Sequence, residues 1–206
     1  MTVLSGWRKD PIHRQVQTIG EDILAEAAGT ATIASVSVRE YYAGPLHKTV
    51  LTCAATPITI TDDSGVAQYG GMVTALYTFP AGIICCLGAV IDGAVTLGTT
   101  GTIIATWAGG VALGSVTATT GSTLTGTEAT WMPEVDVAAA TLAVATVDAH
   151  SVATALTESG ARWFDGHTTP APVFFNLVVD DSGTHTSGTG TFTGTVTLTW
   201  INLGDY

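Results

Sequence analysis

Residues Thr191 to Trp200 read TFTGTVTLTW, and this run leaves the chain little choice of fold. Phe192, Gly194, Val196, Leu198 and Trp200 fall on one parity, and Thr191, Thr193, Thr195, Thr197 and Thr199 on the other. A period of two over ten residues sorts apolar from hydroxyl side chains only on an extended strand with one buried face. A helical turn of 3.6 residues would mix them on every face. Upstream, Val173 to Val179 (VFFNLVV) is a β-branched and aromatic run, followed by Asp180-Asp181-Ser182-Gly183 and a Gly/Ser/Thr segment. The two runs read together as a hairpin with a long connection.

The rest of the chain has the same texture. Strand signals cover Ile33 to Val38, His47 to Ala55, Pro57 to Thr61, Val73 to Phe79, Ile83 to Ile91, Val95 to Leu97, Thr102 to Trp107, Val111 to Ala118 and Val135 to Val147. Turn signals separate them at Gly44-Pro45, Asp62-Asp63-Ser64-Gly65, Gly70-Gly71, Pro80-Ala81-Gly82 and Asp92-Gly93. Ser122 to Thr130 reads as a polar turn closed by Pro133, and Asp148 to Glu158 as a capped helix or a loop. About ten short strands spaced in this way predict an all-β, two-sheet antiparallel sandwich, jelly-roll-like, over residues 31–206. No fixed-period repeat divides the chain, which excludes propellers and solenoids.

Residues 1–30 differ from this body. They hold three of the six basic residues, and by subtraction residues 31–206 carry a formal charge of −10 out of −11. Trp7, Arg8, Lys9 and Arg14 surround Pro11 without any period, which predicts an extended N-terminal arm. On a partner surface Trp7 would anchor and the bases would pair with carboxylates. The same composition also suits a segment packed on its own domain.

The acidity argues against nucleic acid, which calls for clustered Lys and Arg. MTVLSGWRKD lacks a signal-peptide core, and Ala81 to Ile91 is too short to span a bilayer, so no membrane partner is expected. Cys53, Cys85 and Cys86 are odd in number, and two are adjacent in an apolar run. They read as small core hydrophobes assembled in a reducing cytoplasm.

Candidate sites are few. Asp62-Asp63 and Asp180-Asp181 could offer hard oxygens to calcium, although Asp before Ser-Gly is also ordinary turn chemistry. Asp165-Gly166-His167 and Asp148-Ala149-His150 lack the further ligands a zinc site needs. No G-x-S-x-G surrounds Ser64, Ser115 or Ser122, and no cofactor motif is present. Glu128, Glu134 and Asp136 flank Trp131, and aromatic plus acid suits a sugar site, a glycosidase or a loop docked on a neighbour; Trp163 offers a second aromatic loop.

Three stretches carry a resemblance: Thr78-Phe79-Pro80-Ala81-Gly82 with Ile83 to Asp92, Leu124-Thr125-Gly126-Thr127-Glu128 ahead of Pro133, and the ending Gly194 to Tyr206. Together they resemble small β-rich virion proteins of tailed bacteriophages, over most of residues 50 to 206. Within that group, capsid decoration or cement proteins imply a β-sandwich body, homo-oligomerisation (a trimer as the first expectation), and an arm on the major coat protein. The resemblance further implies residence on the capsid surface after assembly in the host cytoplasm, and no enzymatic activity. The alternative is a host-recognition or carbohydrate-binding module of a fibre or tail, with Trp131 or Trp163 stacking on sugar rings. The large aromatics Trp107, Trp131, Trp163 and Trp200 in a chain poor in Lys and Glu suit burial between copies.

Overall fold

In a computed structural model the described residues are 29–43, 46–63, 68–98, 106–119, 121, 123–141, 144–150, 163–180 and 186–204. The expected arm residues Trp7, Arg8, Lys9 and Arg14 lie outside them. Eleven strands run in order: β1 (Val36–Ala43), β2 (Leu46–Asp62), β3 (Gln68–Gly71), β4 (Tyr77–Thr78), β5 (Ile83–Leu97), β6 (Thr106–Gly114), β7 (Met132–Thr141), β8 (Val144–His150), β9 (Trp163–Asp165), β10 (Pro172–Asp180) and β11 (Gly188–Asn202). One 3-10 turn, Gly126–Ala129, is the helical element among the described residues. Every pairing is antiparallel, along one hydrogen-bonded path β7-β6-β10-β3-β2-β11-β5-β8. The fold is therefore all-β, as the alternation predicts.

The path has to curl. Laid flat, its eight strands would put β7 and β8 about 34 Å apart at about 4.8 Å per step. Yet only residues 142 and 143 separate those two strands, and three virtual Cα bonds reach about 11 Å. The sheet accordingly bends into a half-barrel whose concave side holds the core.

The two C-terminal runs are strands, but not a hairpin. β10 pairs with β6, β3 and β4, whereas β11 pairs with β2 and β5. They meet instead across the interior, where the Phe175 and Phe192 rings stack with centroids 4.8 Å apart. Period-two patterning specifies the face of a strand and leaves its neighbour open. β11 is also central, bonded on both sides by β2 and β5.

Several expected breaks lie within strands. β2 runs unbroken through Ala55 and Pro57, with a bulge between the register pairs Thr56–Phe192 and Cys53–Gly194. There Ala54 and Ala55 both face outward opposite Thr193 alone, which shifts the inward parity from Leu51 and Cys53 to Thr56, Ile58 and Ile60. Ala55 adopts φ 52°, and its N–H is satisfied by Thr193 Oγ1 at 3.2 Å. Pro57 falls where β2 has β11 alone as partner, between the segments paired to β1 and to β3.

Asp92-Gly93, expected as a turn, is mid-strand in β5 because Gly93 lies opposite Gly194. A Cβ on Gly194 would meet the Asp92 carbonyl oxygen and sit 2.5 Å from Gly93 Cα. Gly70-Gly71 and Gly109-Gly110 are likewise inside β3 and β6. Conversely, Val135 to Val147, expected as one strand, spans β7 and β8, and Val73 to Phe79 contains only the two-residue β4.

Cys85 and Cys86 are both buried, as expected of small core residues, and no disulfide forms. The core is strongly aromatic: Phe79 meets Tyr77, Trp131 and Trp200 edge-on, at centroid distances of 5.3, 5.1 and 5.1 Å.

The bulge yields two substitutions of opposite sign. Ala55→Gly should raise stability by about 0.5–1 kcal/mol, since left-handed strain of ~1–2 kcal/mol is relieved against the extra chain entropy of glycine. Gly194→Ala should lower it by at least about 2 kcal/mol, because backbone rather than a flexible side chain must yield. Urea unfolding of both variants checks the pair; equal effects would remove the assigned geometry.

Candidate functional site

Three constellations deserve comparison, two of polar groups and one apolar. The first lies on the convex face. Inward alternation of Val173, Phe175, Leu177 and Val179 on β10 turns Asn176 and Val178 outward, yet both are buried beneath residues 115–130. Asn176 Oδ1 accepts from Ala118 N–H at 2.9 Å, and its Nδ2 donates to the Val116 and Glu128 carbonyls at 2.8 and 2.7 Å. Glu128 Oε1 accepts from the Thr119 N–H and hydroxyl at 2.7 and 2.9 Å, and Glu134 Oε2 from Leu124 N–H at 2.6 Å. These carboxylates hold a loop down and are committed to backbone donors. A glycosidic pair would have to be available to substrate.

The second lies inside. Glu40 on β1 faces its register partner Thr49 on β2. Glu40 Oε1 accepts from Thr49 Oγ1 at 3.1 Å and from the Tyr77 hydroxyl at 2.9 Å, while Trp200 Nε1 donates to Thr49 Oγ1 at 2.9 Å. The His47 ring stacks on Trp200 at 4.1 Å. Burial, with the Glu40 charge second, pushes the Tyr77 phenol well above its ordinary value. Burial lowers His47, with Glu40 pulling the other way. Burial also pushes the Cys53 thiol up to about 11, which leaves it a poor nucleophile at neutral pH.

The third is apolar and outward. On β9 Phe164 turns in, 6.1 Å from Trp131, so Trp163 and Asp165 turn out. The registers Leu46–Ile201, Ile201–Cys85 and Cys85–Trp163 line four residues in one row across β2, β11, β5 and β9. Trp163 is 53% exposed, Leu46 41% and Leu203, just past β11, 40%. Exposed Lys48, Asp165 and His167 supply a polar rim. An apolar centre with a polar rim is the anatomy of an interface.

The expected site residues thus separate. Trp131 is 2% exposed, with Nε1 donating to the Pro172 carbonyl at 2.9 Å, so it is a core residue and offers no ring to a sugar. Acidic neighbours in sequence misplace it, because alternation sends Glu134 and Trp131 to different surroundings. Trp163 is outward and open. Asp63 Oδ2 accepts from Gly121 N–H at 2.9 Å, and Asp62 ends β2 opposite Gln68. Asp180 ends β10. Its side chain, Asp181, Ser64 and Ser122 lie outside the described residues. Asp165 Oδ1 accepts from His167 N–H at 3.1 Å, a turn cap. Asp148 and His150 pair through their backbones with Asp92 and Val90 on β5.

Among the described residues no three His, Cys, Asp or Glu side chains gather as a metal-ligand set. A hollow of about 160 Å³ opens beside Thr59, Tyr69, Gly70 and Thr117. It is well below the ~300–1,000 Å³ of a small-molecule site. Leu46, Ile201 and Leu203 were not expected from the sequence; Leu46 and Ile201 join Trp163 only through strand register. No known protein family, curated protein or solved structure matches the chain.

Asn176→Leu should cost on the order of 3 kcal/mol or more, since it leaves Ala118 N–H and two carbonyls buried without partners. Urea unfolding, with proteolysis expected to open near residues 116–128, checks it. The raised Cys53 thiol contributes stability that is present below its ordinary 9.0 and lost as pH rises through about 11. The lowered His47 contributes stability present above its ordinary 6.5 and lost as pH falls below it. Unfolding free energy measured against pH should therefore decline on both sides, and Cys53→Ala should flatten the limb between 9 and 11.

Proposed function

We propose that the protein is a non-enzymatic structural subunit of a virion, a decoration or cement protein that binds major coat protein on a phage head. The observation that carries this reading is the exposed apolar group of Leu46, Trp163 and Leu203, joined across the sheet by half-buried Ile201 and buried Cys85, on a body whose carboxylates Glu40, Glu128 and Glu134 are spent on internal hydrogen bonds. A chain in which polar groups serve packing while large apolar groups face out suits assembly better than turnover. In this reading the half-barrel acts as a jelly-roll-like two-layer body, β7-β6-β10-β3 facing β2-β11-β5-β8. The row seats a neighbouring copy, a trimer first of all, and residues 1–30 reach the coat lattice through Trp7, Arg8, Lys9 and Arg14. The site is the capsid surface, with no nucleic acid, membrane or cofactor involved.

Co-sedimentation with coat shells that lack the protein tests this directly. Saturable binding at a fixed ratio of copies to coat subunits is expected, and removal of residues 1–28 should abolish it while the β body stays folded. Trp163→Ala should shift the protein toward monomers in analytical ultracentrifugation.

The exposure of Trp163 also favours a second reading, a carbohydrate-binding module of a fibre or tail, because an open indole face stacks well on a sugar ring. Glycan binding lost in Trp163→Ala, with no binding to shells, would select it.

A further inference from the structure

We propose that the end of β2 and β3 holds a calcium-type divalent cation between Asp62 Oδ1 and Gln68 Oε1. These two residues are direct register partners, so their side chains leave the same face of the sheet, the inward one that also carries Ile58 and Ile60. Gln68 is completely buried, and its Oε1 accepts no hydrogen bond. Asp62 Oδ1 is buried as an atom and likewise accepts none. Two buried acceptor oxygens carried by paired residues on one face, each without a donor, are costly unless something positive satisfies them.

The amide cannot relieve this by turning over. Gln68 Nε2 donates to the Thr186 carbonyl at 2.7 Å, and rotation would set oxygen against oxygen there. Among the described residues no lysine or arginine reaches the pair. Arg39 on β1, opposite Val50, and Lys48 on β2 are the described lysine and arginine side chains, and both lie toward the opposite end of β2. Lys48 is fourteen residues from Asp62 along one strand, or about 45 Å at ~3.3 Å per residue.

The donor chemistry selects the ion. Both groups are hard oxygens, one carboxylate and one amide, with no nitrogen or sulfur donor. Calcium accepts amide and carboxylate oxygens in irregular shells completed by water, whereas magnesium demands a strict octahedron and keeps its own water. Neighbouring Asp63, held by Gly121 N–H at 2.9 Å, adds negative charge beside the pair. Two protein donors imply weak binding, about 10⁻⁴–10⁻³ M. The site stands on these residues alone and is independent of the virion reading.

Thermal unfolding of the full chain after chelation, with about 5 mM calcium, magnesium or sodium chloride at matched ionic strength, tests it. Calcium should raise the midpoint by several degrees, magnesium less and sodium not at all. Asp62→Asn should raise the midpoint without calcium, because its new amide can donate to Gln68 Oε1, and should abolish the calcium response. Gln68→Glu should retain or strengthen that response, and Asp136→Asn, an exposed acid elsewhere, should leave it intact. No calcium shift in the parent chain overturns the proposal, and so does an equal shift in Asp62→Asn. Should Asp62→Asn fail to fold, loss of the response in Gln68→Met decides the matter.

Discussion

Phe79 holds the two flanks of the sheet together. It stands after β4, outside any long strand, and its ring meets Trp200 of β11, Trp131 before β7 and Tyr77 edge-on. A sheet that curls on itself must fill its concave face with its own side chains, which meet there across the interior. Aromatic rings fill it with few residues, each burying a large apolar area at little entropic cost. The indole and phenol groups bring polar atoms inside with them. Trp131 Nε1 finds the Pro172 carbonyl, Trp200 Nε1 the Thr49 hydroxyl, and the Tyr77 hydroxyl Glu40. The buried carboxylate of Glu40 thus follows from the aromatic core: it satisfies the donors that such a core carries inward. Chemistry is not needed to explain its place.

The same reasoning applies outside. The loop of residues 115–130 crosses the convex face of β10, and its backbone groups there lose water. Asn176, Glu128 and Glu134 restore the missing partners one by one. Acids near an aromatic in sequence suggest a sugar site, but three carboxamide bonds and three carboxylate bonds to a single loop describe a fastening. The large apolar groups Trp163, Leu46 and Leu203, by contrast, stay exposed.

Much of the architecture is legible in the sequence because inward and outward faces are written with period two. Phe192, Val196, Leu198 and Trp200 are buried as the alternation requires, and so are Val173, Phe175, Leu177 and Val179. Which strands lie side by side is not legible, since period two says nothing about neighbours; hence β10 and β11 look like a hairpin and are not one. Glycine pairs mislead for a related reason. Gly93 and Gly194 are glycine because two backbones press together, and Gly70-Gly71 because β2 and β10 do, yet the letters equal those of a turn. The candidate sites follow suit. Trp131 and Trp163 have similar surroundings in sequence, and only the alternation of Phe164 with Trp163 on a three-residue strand separates the core ring from the open one.

Register is also what makes both proposed contacts visible. Leu46, Ile201, Cys85 and Trp163 are far apart in the chain and become one row because β11 and β5 lie between β2 and β9. Asp62 and Gln68 become a pair because β2 and β3 close on each other there. The bulge at Ala54-Ala55 sets the second of these. Without it, the inward parity of Leu51 would continue through residues 57, 59 and 61, and Asp62 would point to solvent beside an exposed Ile60. With it, Leu46 stays outward at one end of β2 while Asp62 turns inward at the other. A single extra residue, held by the Thr193 hydroxyl, thus decides that the far end of this strand turns a half-buried carboxylate inward.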